Sequence, residues 1–377
     1  MESGTHSGSR AGWVLIVLAA FIIVVAGLKA AAPLLVPLMV SVFLAILAAP
    51  AVLWLQAHRV PTALAVLLVV LVMMGVLSGI GAIVGSSING FTESVPQYQA
   101  RFKALGASIS GWFEARGITV VQSHLADVMN AGAVLRFLGG TLGGLVAAAS
   151  NTVLVLLTTL FILFELAGFP TKLRASMPGS TGSQARFERV MVEVQRYLLL
   201  KTLLSLATGV LIGVWCAVLG VDFAVLWGLL AFLLNYIPNL GSIIAAVPAV
   251  LLALIQLGPG RALMVAAGYV LVNGLIGNLL EPQIMGRRLG LSPLVVFLSL
   301  VFWGWVWGSV GMLLSVPLTM IVKIMLESSP ETVGVAVLLD TTSGAERQIR
   351  AMEDAASAPG REESPPDADR GDRTPEA

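Results

Sequence analysis

Residues 12–28, 34–55 and 62–88 contain no Asp, Glu, Lys or Arg. A helix rises about 1.5 Å per residue, so roughly 20 apolar residues cross a hydrocarbon core about 30 Å thick. Lipid offers no hydrogen-bond partner, so such runs can cross only as helices or as a closed barrel. A barrel strand alternates apolar and polar residues, and these runs are continuous. The rest of the chain agrees: 57% of residues are hydrophobic, 11% are charged and mean hydropathy is +0.92. A water-soluble domain carries about 25% charge. The sequence therefore predicts an all-α polytopic membrane protein.

Several functions are poorly served by this residue set. A formal net charge of +1 gives no electrostatic footprint for nucleic acid. Cys216 is the one cysteine, and His6, His58 and His124 are scattered, so neither a disulfide nor a metal cluster is expected. The chain has no G-x-x-x-x-G-K-[ST] loop and no H-E-x-x-H, which leaves ATP hydrolysis and zinc proteolysis without support. No cofactor and no catalytic residue is expected. The expected partners are the lipid bilayer and a small-molecule or ion substrate.

Read along its length, the chain begins with a tail (1–11) and three spans within 12–88. Gly75, Gly79, Gly81 and Gly85 form two small-xxx-small pairs that suit close helix contact or simple glycine tolerance. Residues 89–147 are more polar. Val95, Tyr98, Phe102, Leu105, Ile109 and Trp112 step by three and four, which predicts an amphipathic helix and, with a second helix carrying Leu125, Val128 and Leu135, an extramembrane hairpin. Span 4 follows at 148–168. A basic linker with an amphipathic helix covers 169–198. The region 199–326 holds span 5, with Gly209 and Gly213 as a further close-packing pair, and the remaining apolar runs. The tail 343–377 is rich in Asp, Glu, Arg, Pro and Ala, the composition of a disordered segment.

The positive-inside rule places the basic 170–200 segment and Arg287-Arg288 in the cytoplasm. Both termini are then cytoplasmic and the 89–147 hairpin is extracytoplasmic. For Arg287 to be inside, residues 223–257 must enter and leave on one face as a re-entrant hairpin, although two short crossings would also satisfy the charges. Residues 294–326 must cross twice, meeting near 308–311, with Trp303, Trp305 and Trp307 in an aromatic belt. The total is about eight transmembrane helices plus the re-entrant hairpin and the extracytoplasmic hairpin.

Two stretches carry the candidate chemistry. In "NYIPNLGSIIAAVP" (235–248), Pro238 removes a donor and Gly241 permits a tight turn. Asn235 and Asn239 can satisfy the freed backbone groups or meet a solute. Irregular backbone at membrane depth is tolerated where protein or a watery cavity covers it, and transporters place sites at such breaks. A purely structural turn is the alternative. In "NGLIGNLLEPQIMGRRLGLSP" (273–293), Asn278 and Glu281 are three apart and share a helical face, while Asn273 points elsewhere and Pro282 should end the helix. Glu281 either serves a cation or proton or pairs with Arg287 or Arg288. Asp222 reads as an N-cap. Lys29, Lys201 and Lys323 read as snorkelling side chains.

The segments "NYIPNLGSIIAAVPAV" and "GNLLEPQIMGRRLGLSPLVVFLSLVFWGWVWGSVGMLLSVPL" resemble the I-P-x-x-G, N-x-x-x-P-x-I-M-G-R-x-L-G-L-x-P-L and G-x-x-G-x-x-L-x-x-P-L motifs of the autoinducer-2 exporter family. The resemblance covers roughly 12–326. It implies a permease of the bacterial cytoplasmic membrane with about eight spans, acting as a homo-oligomer. It also implies export of a quorum-sensing signal or, in other members, sodium or lithium/proton antiport. Carried over by position, Pro238, Gly241, Asn278 and Pro282 are candidate site residues. The sequence departs at Gly277, where the family often has glutamate; if that carboxylate couples transport to a cation, this chain either is uncoupled or uses Glu281 instead. Three readings follow: exporter of a small polar solute, cation/proton antiporter, and membrane scaffold.

Overall fold

A computed structural model describes residues 6–116, 139–140, 152–176, 181–238, 240–285, 291–327 and 332–340. The second helix of the 89–147 hairpin, Asn239, the Arg287-Arg288 turn and the 343–377 tail lie outside the described residues. The described residues form helices joined by short turns, with no strand among them. The chain is an all-α polytopic membrane protein. Six helices are long and apolar enough to cross a membrane, and three shorter apolar helices accompany them.

α1 (His6–Ala30) and α2 (Ala32–Ala57) follow almost without a loop. α3 runs unbroken from Thr62 to Glu114. Its 53 residues extend about 80 Å, so it projects far beyond a hydrocarbon core. α4 (Thr152–Ser176) packs on α2 and α3. Ser41 Oγ donates to the Val155 carbonyl at 3.1 Å and links α2 to α4 inside an otherwise apolar contact. α5 spans Thr181–Leu219. Leu15, Ile23, Leu68, Val153 and Leu211 remain largely exposed. In water such a surface would aggregate, but in lipid it is the ordinary outer face.

α6 (Ala224–Leu234) and α7 (Leu240–Leu257) form a helical hairpin. At 11 residues, α6 is about 16 Å long, half a hydrocarbon core. The two ends of the hairpin meet. Gln256 at the end of α7 accepts from the Asp222 backbone N–H at 2.9 Å and donates to the Gly220 carbonyl at 3.1 Å. At the tip, a Cβ on Gly241 would collide with the Leu234 carbonyl, so only glycine lets the chain turn this tightly. Backbone contact also joins α6 to α5: a Cβ on Gly209 would lie 2.7 Å from the Gly228 carbonyl, and one on Gly228 would lie 3.0 Å from Gly213 Cα. The glycine pair of span 5 is thus a close-packing site. Gly75, Gly79, Gly81 and Gly85 have nothing within 4 Å of a built Cβ.

α8 (Pro259–Asn273) continues through a π-helical segment (Gly274–Leu280) into α9 (Glu281–Met285). α10 (Pro293–Glu327) breaks at Trp307 and Gly308, where Gly308 has φ +65°. Its halves fold back on each other: Trp303 Nε1 donates to Thr319 Oγ1 at 3.1 Å, although a straight helix would separate these positions by about 24 Å. α11 (Val333–Leu339) closes the described chain.

Three sequence expectations change here. Trp303 and Trp307 are buried, and Trp307 donates to the Leu28 carbonyl. Only Trp305 is exposed, beneath the Lys29 ammonium. Two indoles thus serve the α1–α10 contact because their N–H groups find internal acceptors. Lys323 does not snorkel. It pairs with Asp340 at 3.1 Å and Glu327 at 3.6 Å, tying α11 to α10. Asp222 does not cap α6. Phe223 occupies the N-cap position with φ +60°, and Asp222 instead accepts from Tyr98 Oη at 2.7 Å.

Candidate functional site

The site begins on α5. Lys201, Ser205 and Thr208 lie at i, i+4 and i+7, a polar stripe in an apolar span. Such a stripe needs partners within the protein, because lipid supplies none. The hairpin tip provides them. Asn235 Nδ2 donates to Ser205 Oγ at 3.0 Å, and Tyr236 Oη donates to Thr202 Oγ1 at 2.7 Å. The Tyr236 ring is further held edge-on by Phe43 and Phe232. The break at Pro238 is therefore anchored to one turn of α5.

The opposite wall is the π-helical segment. Its i→i+5 repeat brings residues five apart onto one face, whereas an α-helix would rotate them about 140° from each other. Asn273 therefore does not point elsewhere: it lines the same cavity as Asn278. Pro282 accounts for the distortion. It has no N–H, and its ring crowds the carbonyl four residues back. Widening the preceding turns takes up that defect, as the Glu281 N–H bonding to the Ile276 carbonyl shows. Helix then continues to Met285 instead of ending at Pro282.

Between the two walls lies a cavity of about 70 Å³, lined by Asn235, Pro238, Asn273, Asn278 and Glu281, with Lys201 across from them. It has room for a few waters and is far below the roughly 300 Å³ of a small-ligand pocket. A larger hollow of about 520 Å³ lies between α2 and α3, lined by apolar side chains such as Trp54, Leu68 and Val72. Its lining is almost wholly apolar, with the Trp54 indole N–H as the one side-chain polar group among the residues that line it.

Arg287 and Arg288 lie outside the described residues, and among the described residues Lys201 meets Glu281. Lys201 Nζ approaches its Oε1 at 2.7 Å, with the lysine side chain 3% and the glutamate 23% exposed. Lys201 thus points inward instead of snorkelling. A buried ammonium is tolerable only with a counter-charge, and Glu281 supplies it. Of the sequence-predicted residues, Asn235, Pro238, Asn278 and Glu281 converge. Gly241 lies behind the tip, Pro282 is exposed on the outer side of its helix, and Asn239 is outside the described residues. Lys201, Ser242 and Asn273 join them, and sequence reasoning missed all three. The signals were present: a lysine in register with Ser205 and Thr208, and Asn273 at the i→i+5 spacing from Asn278 just before a proline.

The chain matches the AI-2E family transporter over residues 16–331. It is 42% identical over 326 residues to the AI-2 transport protein TqsA of Escherichia coli (strain K12), covering 86% of this chain and 95% of that one. A protein of Haemophilus influenzae is 39% identical over 331 residues, covering 86% and 95%. YhhT of Escherichia coli (strain K12) is 36% identical over 326 residues, covering 86% and 93%. Both of these carry names that assign them to transport without a substrate. With this coverage, and with an all-helical membrane architecture, the chain belongs to the AI-2E family of transporters.

Proposed function

We propose that the protein is a secondary exporter of a small polar solute, working by alternating access at the cavity between the hairpin tip and the π-helical segment. The observation that carries this reading is the convergence of three asparagines and an ion pair on a broken hairpin inside an apolar helical bundle. Broken helices that expose carbonyls and amides are how transporters build sites away from water. The small volume fits a closed state: a solute needs the two walls to separate. In this reading the hairpin 223–257 is re-entrant. The chain sits in the bacterial cytoplasmic membrane with both termini inside, and it works as a homo-oligomer. The name of the relative TqsA makes autoinducer-2 the first solute to test.

The experiment is flux of autoinducer-2 in proteoliposomes, with no gradient, a proton gradient and a sodium gradient in turn. Protein-dependent movement that falls at least about tenfold in Asn278→Ala supports the reading, because loss of a site hydrogen bond leaves a buried partner unpaired. Movement unaffected by that change moves the site elsewhere. A second reading, sodium or lithium/proton antiport, is favoured by one observation only: Glu281 is a carboxylate lining the cavity. Cation-dependent proton flux with no movement of the signal, abolished in Glu281→Gln, would install it.

A further inference from the structure

We propose that Lys201 is the resident cation of this cavity: its ammonium holds the place at Glu281 that a coupling ion would take, so transport is electroneutral and indifferent to sodium and proton gradients. The inference rests on the transporter reading of the same cavity and sharpens it by naming the coupling. The pair is short, 2.7 Å, and the lysine is almost completely withdrawn from solvent. Charge-assisted contacts at this distance are the strong ones. The remaining lining groups are amides, a serine, a proline, an isoleucine and Gly277, which contributes no side chain. One positive and one negative charge therefore face the cavity, and they cancel. Among the described residues, the other titratable group beside Glu281 is the buried phenol of Tyr197 on α5, with the buried Tyr236 of the hairpin tip next to it.

A sodium ion seeking Glu281 would find suitable oxygens on the carboxylate and the asparagine amides. To use them it must evict the ammonium, which would then lie buried without a counter-charge, a strongly unfavourable state. The same geometry predicts the converse. Taking away Lys201 leaves a free carboxylate beside three amides, which is the oxygen-rich donor set that suits a hard cation.

The test uses the purified full chain and reads its Tm in sodium chloride against choline chloride at equal ionic strength. The expected result is no sodium-dependent shift in the unmodified protein. Lys201→Met should gain a concentration-dependent upward shift, and Lys201→Met/Glu281→Gln should lose it. A sodium-dependent rise in the unmodified protein, or no gain in a folded Lys201→Met, overturns the proposal. If Lys201→Met fails to fold, the exchange Lys201→Glu/Glu281→Lys replaces it: the swapped pair should remain indifferent to sodium, and a sodium response there counts against the idea. In proteoliposomes, autoinducer-2 flux should change by less than about twofold when sodium, proton or electrical gradients are imposed, since an electroneutral step has no charge for the field to act on. Flux accelerated by any of them overturns the coupling inference and leaves the exporter standing. Absence of flux sinks the exporter, while the Tm series still decides the role of Lys201.

Discussion

Two glycines show how differently one residue type is used in this chain. Gly241 abuts the Leu234 carbonyl, and Gly75 faces open space. Gly241→Ala should destabilise the protein by about 1–3 kcal/mol, because the added carbon forces the tip apart. Gly75→Ala should change stability by less than about 0.5 kcal/mol, or stabilise the helix slightly. Thermal unfolding of both in detergent checks this, and equal Tm values would contradict the geometry of the tip. At this scale the sequence was partly legible. Pro238 and Gly241 announce a break through their backbone chemistry alone. Lys201 was misread because a lysine two residues into an apolar run normally reaches for water. What turned it inward was Glu281, 80 positions away, and no local rule reports such a partner.

Among elements, the contacts at the hairpin tip decide how the tip is held on α5. Asn235 on the tip and Ser205 on α5 share one hydrogen bond. Alanine at both positions, measured as a double-mutant cycle, should give a coupling of about 0.5–1.5 kcal/mol. A coupling near zero would mean that the tip is not held by this bond. Helix existence and approximate position were readable from apolar run length, since lipid enforces helix wherever the chain is apolar for long enough. The π-helical segment was not. Its sequence reads as an ordinary helix ending at Pro282, and an α-helical wheel puts Asn273 on the wrong face. The proline defect is absorbed by widening the preceding turns instead of stopping the helix, and that widening is what carries Asn273 round to Asn278. The fold-back of α10 at Trp307 and Gly308 is an intermediate case: charge counting called for a turn there, but the burial of Trp303 and Trp307 depended on the α1 contact.

Over the molecule as a whole, the extension of α3 reaches back to the base of the hairpin. Tyr98 donates to Asp222, and Arg101 Nη1 donates to the Gln256 carbonyl at 2.7 Å, so the two ends of the α6–α7 hairpin are fastened by one helix. Phe91 and Phe223 pack beside this junction. Tyr98→Phe removes the bond to a carboxylate acceptor and should cost about 1.5–3 kcal/mol. Unfolding in detergent measures it, and a Tm equal to that of the unmodified protein would show that the fastening carries no stability. The sequence by itself determined the class of protein, an all-α chain with several membrane-spanning helices, because membrane burial acts residue by residue along the chain. It also located the two breaks, because proline and glycine act on their own backbone. Only the tertiary structure decided which charged and amide groups meet. Ion pairs and interhelical hydrogen bonds form between side chains far apart in sequence, and their geometry exists only once the helices have packed.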